Sequence, residues 1–210
     1  MKRQYFLLLS FFCVYYINAQ RIFLSFGENQ TKYDYETSAG QSLANLKRGS
    51  GNYYELGYEH IIKLKKSMLI STIGLSLNQF NSSGGDEANY YLWNTRYIGL
   101  QNSISYSFIN KKTFKILATG GLNILTMLSG EQQLNNSFYD LTDQDNFKGL
   151  FIQPSLGVDF HYNIQNILEL SLKYNLSKAM NVSSSGDEKL SFNNNQIAFG
   201  IHIPLKPIEK

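Results

Sequence analysis

The chain has 210 residues, 43% hydrophobic and 14% aromatic, with 19 Lys and Arg against 16 Asp and Glu. A formal charge of +3 is too small for charge-driven nucleic-acid binding, and a single cysteine excludes an intrachain disulfide framework. No apolar run reaches the ~18 residues that mark a transmembrane helix.

The chain opens Met1-Lys2-Arg3, continues with an apolar run from Tyr5 to Ile17, and then reads Asn18-Ala19-Gln20. A basic start, a short apolar core and a small residue before the cut make residues 1–19 a cleaved signal peptide. Cys13 leaves with it. Removing Lys2 and Arg3 from the 19 basic residues leaves 17 against 16 acidic, a formal charge of +1. Residues 20–210 then form one domain without disulfides.

Alternation of apolar and polar residues marks β-strands with two different faces, and eight such stretches follow. The first covers about 21–29, with Ile22, Leu24 and Phe26 on one face; residues 31–36 can extend it. A polar stretch follows, in which 42–47 suits one helical turn. The second, about 52–62, sets Tyr54, Leu56, Tyr58 and Ile62 against Glu55, Gly57 and Glu59. The third, 67–80, sets Leu69, Ile73, Leu75 and Leu77 against Thr72, Gly74, Ser76 and Asn78. After a Ser/Gly loop, the fourth (about 91–109) carries Ile98, Leu100, Ile104, Tyr106 and Phe108, interrupted by Asn102. The fifth, 113–128, has an apolar face and a mixed one: Lys115, Leu117, Thr119, Gly121, Asn123, Leu125.

A long polar loop, 129–147, leads to the two cleanest strands. Leu150, Ile152, Pro154, Leu156, Val158, Phe160 and Tyr162 share one face, with Asp159 and His161 opposite. Leu168, Leu170, Leu172, Tyr174 and Leu176 oppose Glu169, Ser171, Lys173 and Asn175. The eighth, 191–205, sets Ile197, Phe199, Ile201, Ile203 and Leu205 against Gln196, Ala198, Gly200 and His202.

Connections alternate between short turns (63–66, 110–112, 163–166) and long polar loops. That sorting, with strands of ~13 residues, predicts an all-β fold: an eight-stranded antiparallel up-and-down transmembrane β-barrel with short periplasmic turns and longer extracellular loops. Tyr53, Tyr54, Phe80, Tyr90, Tyr91, Trp93, Phe108, Phe114, Phe147, Phe160 and Tyr162 lie near strand ends, where aromatic girdles are expected.

The signal ending in Asn18-Ala19-Gln20, the eight alternating strands, and the stretches FIQPSLGVDFHY (151–162) and QIAFGIHIPL (196–205) resemble small outer-membrane β-barrels of the OmpA/OmpX type. In composition they are most similar to those of Bacteroidetes-type bacteria. The resemblance implies an outer-membrane location and partners in outer-membrane lipid and the barrel-assembly machinery. It departs in ending Pro207-Ile208-Glu209-Lys210, where such barrels often end on an aromatic residue.

The inward charges are Glu55, Glu59, Lys115, Asp159, Glu169 and Lys173, expected to pair as a polar network filling the bore. His60, His161 and His202 fall at the short-turn end without metal-binding spacing. Barrels that modify lipid A place catalytic groups near the outer leaflet, far from these histidines, and no G-x-S-x-G occurs. Asp140, Asp143 and Asp145 offer a weak calcium-like cluster without the EF-hand order. No catalytic residue, metal or cofactor is therefore assigned. The expected role is a non-enzymatic structural or interaction barrel, with a protein or surface partner at the long loops and no nucleic acid. The alternatives are a narrow channel or porin for ions or small solutes, and a soluble lipocalin-like binding protein. Mass spectrometry of the protein from cell envelopes is expected to find Gln20 as its first residue; recovery of the chain from Met1 would refute signal cleavage.

Overall fold

A computed structural model describes residues 21–36, 46–85, 90–134, 137–165, 167–183 and 189–205. The signal segment 1–19 and most of the stretch at 42–47 lie outside the described residues; Lys47 itself begins a strand. Among the described residues nine strands form: β1 (Arg21–Glu36), β2 (Lys47–Lys63), β3 (Met68–Gly84), β4 (Tyr91–Asn110), β5 (Phe114–Leu134), β6 (Ser137–Asp140), β7 (Leu150–Ile164), β8 (Leu168–Asn181) and β9 (Lys189–Pro204). Eight close a ring in which every neighbouring pair is antiparallel. β4 pairs with β5 on one side, and β1 pairs with β9 from Arg21↔Pro204 to Glu36↔Lys189. The short β6 is an addition to the upper end of β5. The barrel is up-and-down, and the ring leaves none of its eight strands as an open edge.

Outward positions carry the apolar band. Leu56 is 62% exposed, Leu75 60%, Ile104 59% and Leu156 72%. Water would not tolerate so continuous a band, whereas lipid requires it. The faces are the reverse of a soluble lipocalin-type barrel, which keeps its apolar side chains inside. Short turns close one end: Leu64 N–H donates to Ser67, Lys111 N–H to Phe114 and Ile167 N–H to Ile164.

The strands are longer than their sequence alternation suggests. β1 has 16 residues, β4 20 and β5 21. Sixteen residues tilted ~40° rise roughly 40 Å, against an apolar band of ~25 Å. The excess lies at the long-loop end. There the outward side chains of β1 are Glu28, Gln30, Lys32 and Asp34, while Tyr33 turns inward and is fully buried. Past the band the surroundings are aqueous, so the polarity of the two faces inverts.

This inversion corrects the expected girdles. Tyr54, Phe108, Phe114, Phe160 and Tyr162 point outward as expected, but Tyr53, Phe80, Trp93 and Phe147 are buried inside. Phe80, Trp93 and Phe147 join Tyr33, Tyr97, Phe151, Phe192 and Leu125 in one cluster across the upper bore. Ring centroids of Phe80 and Phe192 lie 4.5 Å apart, and Tyr97 meets Phe151 edge-on at 5.3 Å. The mixed face of β5 is explained as well. Leu125 belongs to this cluster, and Leu117 packs with Ile61, Met68 and Ile70 near the short turns.

The expected loop 129–147 is also ordered differently. β5 runs on to Leu134, β6 folds back against it, and Leu141 and Phe147 drop into the aromatic cluster. Leu156→Arg, in the middle of the band, is expected to destabilise the vesicle-inserted barrel by roughly 2–4 kcal/mol, and Gln30→Arg, above it, by about 0–1 kcal/mol. Urea titration in lipid vesicles measures both; equal costs would contradict the placement of the band.

Candidate functional site

All six charged residues assigned to the interior point inward, and each is at most 8% exposed. They form two groups. Near the short turns, Glu169 of β8 is the centre. Arg21 Nη1 donates to its Oε1 at 2.7 Å, His161 Nδ1 lies 2.6 Å from the same oxygen, and Lys115 Nζ donates to Oε2. Glu59 of β2 lies 4.0 Å from Arg21 and 3.0 Å from His202 Nδ1. The rings of His161 and His202 are 4.9 Å apart, and Phe23 stacks on His202 at 5.6 Å. Arg21, His161 and His202 were missing from the sequence-derived network. Arg21 stands at the very start of the first alternation, where phase is hard to assign. The histidines carry no spacing that announces a partner.

The second group lies deeper. Lys173 Nζ is 3.9 Å from Glu55 Oε2, which also accepts the Tyr53 hydroxyl. Asp159 sits opposite Lys173 in the β7–β8 register and accepts from Thr119 at 2.8 Å, while Thr119 and Ser105 share a hydrogen bond of 2.7 Å. Glu55 Oε1 and Asp159 Oδ1 have no hydrogen-bond partner among the described residues. Above these charges comes a layer of amides. Asn29 Oδ1 accepts from Asn194 and Gln196, and Asn175 donates to Gln196. Glycine makes room for this layer: a Cβ on Gly157 would fall 1.8 Å from Asn175 Oδ1.

One constellation was not foreseen. His202 Nε2 is 2.8 Å from Ser171 Oγ, and His202 Nδ1 is 3.0 Å from Glu59 Oε1. This has the order of a nucleophile, base and orienting carboxylate. Yet Ser171, His202 and Glu59 are only 3–5% exposed, within the packed bore. A substrate carbonyl cannot approach Oγ without displacing the ionic cluster around it.

The loop aspartates do not gather. Thr142 donates to Asp140 Oδ1 from its hydroxyl at 2.6 Å and its backbone N–H at 2.8 Å, which holds the Asp140 carboxyl below the usual carboxylate range. Asp145 pairs instead with Lys148 at 2.6 Å, which raises the Lys148 ammonium. Among the described residues no group of His, Cys, Asp or Glu is placed to hold a metal ion.

The closed ring and its outward apolar band can be set beside known structures. The outer-membrane protease OmpT from Escherichia coli aligns with a TM-score of 0.50 at 8% identity, over 90% of this chain and 97% of that one. The fold is that of an outer-membrane β-barrel. Neisserial surface protein A aligns at 0.48 with 12% identity over 87% and 97%, and the outer-membrane enzyme PagL at 0.48 with 12% identity over 88% and 99%. At these identities the likeness concerns fold alone. No protein family matches the chain, and no curated protein is similar to it in sequence.

Glu169→Gln is expected to destabilise the barrel by about 3–5 kcal/mol, because it removes the shared partner of two buried cations. Urea unfolding of the vesicle-inserted protein reads the loss. Wild-type stability would show that the cluster does not hold the strands together.

Proposed function

We propose that this protein is a non-enzymatic integral protein of the bacterial outer membrane, with its short turns in the periplasm and its long-loop end outside. On this reading it belongs with OmpA/OmpX-type barrels of the Bacteroidetes-type composition, is inserted by the assembly machinery, and acts through its outer end. The observation that carries the reading is the filled bore. An apolar cluster, two charged groups, an amide layer and an aromatic layer succeed one another along it. Eight strands enclose only enough space for side chains, and here those side chains are bonded across the barrel. Chemistry inside such a bore has no substrate access, which leaves the outer surface as the place of function.

A second reading, a narrow ion channel, is favoured by one observation. Beside Lys173, Glu55 Oε1 and Asp159 Oδ1 lack hydrogen-bond partners among the described residues, and buried carboxylate oxygens without donors call for water.

Cell fractionation is expected to place the heat-modifiable protein in the outer membrane; recovery in a soluble fraction would overturn the membrane reading and favour a lipocalin-like one. In planar bilayers the purified barrel is expected to be silent. Steady single-channel currents that change with Lys173→Ala would establish the channel instead.

A further inference from the structure

At the long-loop end a recess of about 550 Å³ opens between the top of β1, β4, the β5–β6 hairpin and the 141–147 turn. This volume falls within the ~300–1,000 Å³ of small-molecule sites. Its walls combine Tyr35, Trp93 and Tyr139 with the amides Gln132, Gln144 and Asn146. Among the described lining residues there is no Asp, Glu, Lys or Arg, although Glu131, Asp140, Asp143, Asp145 and Lys148 stand close by in sequence. The site thus presents the half-exposed ring of Tyr139, an apolar lining that includes Leu134, Leu141 and Phe147, and neutral amides that each donate and accept. The nearest described charges, Arg96, Glu131 and Asp140, line the adjoining recess on the other side of Tyr139.

Trp93 forms part of the wall and is held rigidly. Tyr33 and Phe147 meet its ring edge-on, each at 5.3 Å, and the residue is 5% exposed. Its Nε1–H has no acceptor among the described residues. A buried indole donor ordinarily has one. The amide of Gln144 and the ring of Tyr139 are exposed at the rim, within reach of a ligand in the recess.

We propose that this recess binds a neutral glycan. Sugar rings offer an apolar C–H face to an aromatic wall and vicinal hydroxyls that both donate and accept, which amide side chains match in pairs. A sulfated or carboxylated saccharide would bring charge to a site whose described lining residues offer no countercharge. A hydrophobic small molecule would leave the amides of Gln132 and Gln144 facing apolar surface. The inference rests on the reading that the long-loop end is the outward, interacting end of the barrel.

Trp93 is the single tryptophan of the chain, so indole emission comes only from this wall of the recess and the aromatic cluster behind it. The folded barrel, in lipid nanodiscs free of sugar-headed detergent, is titrated with maltohexaose, cellohexaose, laminarihexaose and chitohexaose, and with a heparin hexasaccharide as the charged control. At least one neutral hexasaccharide is expected to shift or quench the emission saturably. Gln144→Ala and Tyr139→Ala, both at exposed positions, are each expected to weaken that binding at least tenfold while the barrel stays heat-modifiable. The proposal is overturned by no saturable response to any neutral hexasaccharide, by a response to heparin alone, or by binding that both variants leave unchanged. If the protein still fractionates with the outer membrane, such a failure removes the glycan site only; release into a soluble fraction would remove the membrane reading as well.

Discussion

A lipid bilayer offers no hydrogen bonds to a peptide backbone, and the architecture follows from that constraint. Each strand within the hydrocarbon must find its partners in its two neighbours, so the sheet must close. Closure falls to the first and last strands, β1 and β9, paired over the whole of β1. The same solvent dictates the outward side chains. Leu56, Leu75, Ile104 and Leu156 are exposed because the medium around them is apolar, and in lipid they need no further cover.

The constraint then passes to the interior. Outward positions are committed to apolar residues, so polarity falls to the alternate positions, and the chain must satisfy it across a narrow bore. Glu169 answers to Arg21, Lys115 and His161 from three other strands, and Asn29 to Asn194 and Gln196. The Arg21 and Lys115 contacts to Glu169 tie strands together beyond their neighbours, which a backbone ladder alone cannot do. They also occupy the groups that would otherwise suggest chemistry. Ser171, His202 and Glu59 have the spacing of a catalytic relay and the burial of a core.

Much of this was legible because lipid makes alternation strict. The outward sets Leu150 to Tyr162 and Leu168 to Leu176 stand in the structure as their pattern implies, and the six inward charges are all inside. Legibility stopped at the upper edge of the band. Above it the strands continue in water, and period two still separates two faces but no longer says which is outside. Tyr53, Phe80 and Trp93 look like interfacial anchors by position along the chain; their phase puts them in the core. The pairing of particular charges was beyond reach for a different reason. Arg21 and Glu169 are 148 residues apart, and only the closed ring brings them together. The recess behind Gln144 depends on a hairpin reversal within what the sequence presents as an unstructured polar loop.

The cluster around Glu169 and Glu59 draws Arg21 from β1, Glu59 from β2, Lys115 from β5, His161 from β7, Glu169 from β8 and His202 from β9. Six of the eight ring strands contribute, so no sheet in which β1 and β9 remain apart can complete it. Until the ends of the chain meet, Glu169 lacks its guanidinium and the β9 histidine is separated from Glu59. The reward for these contacts therefore comes only with the last step of assembly, while the loop-closure entropy is spent before it. That timing makes the final state cooperative. Pulling out any one of these six strands leaves charges on others without their partners.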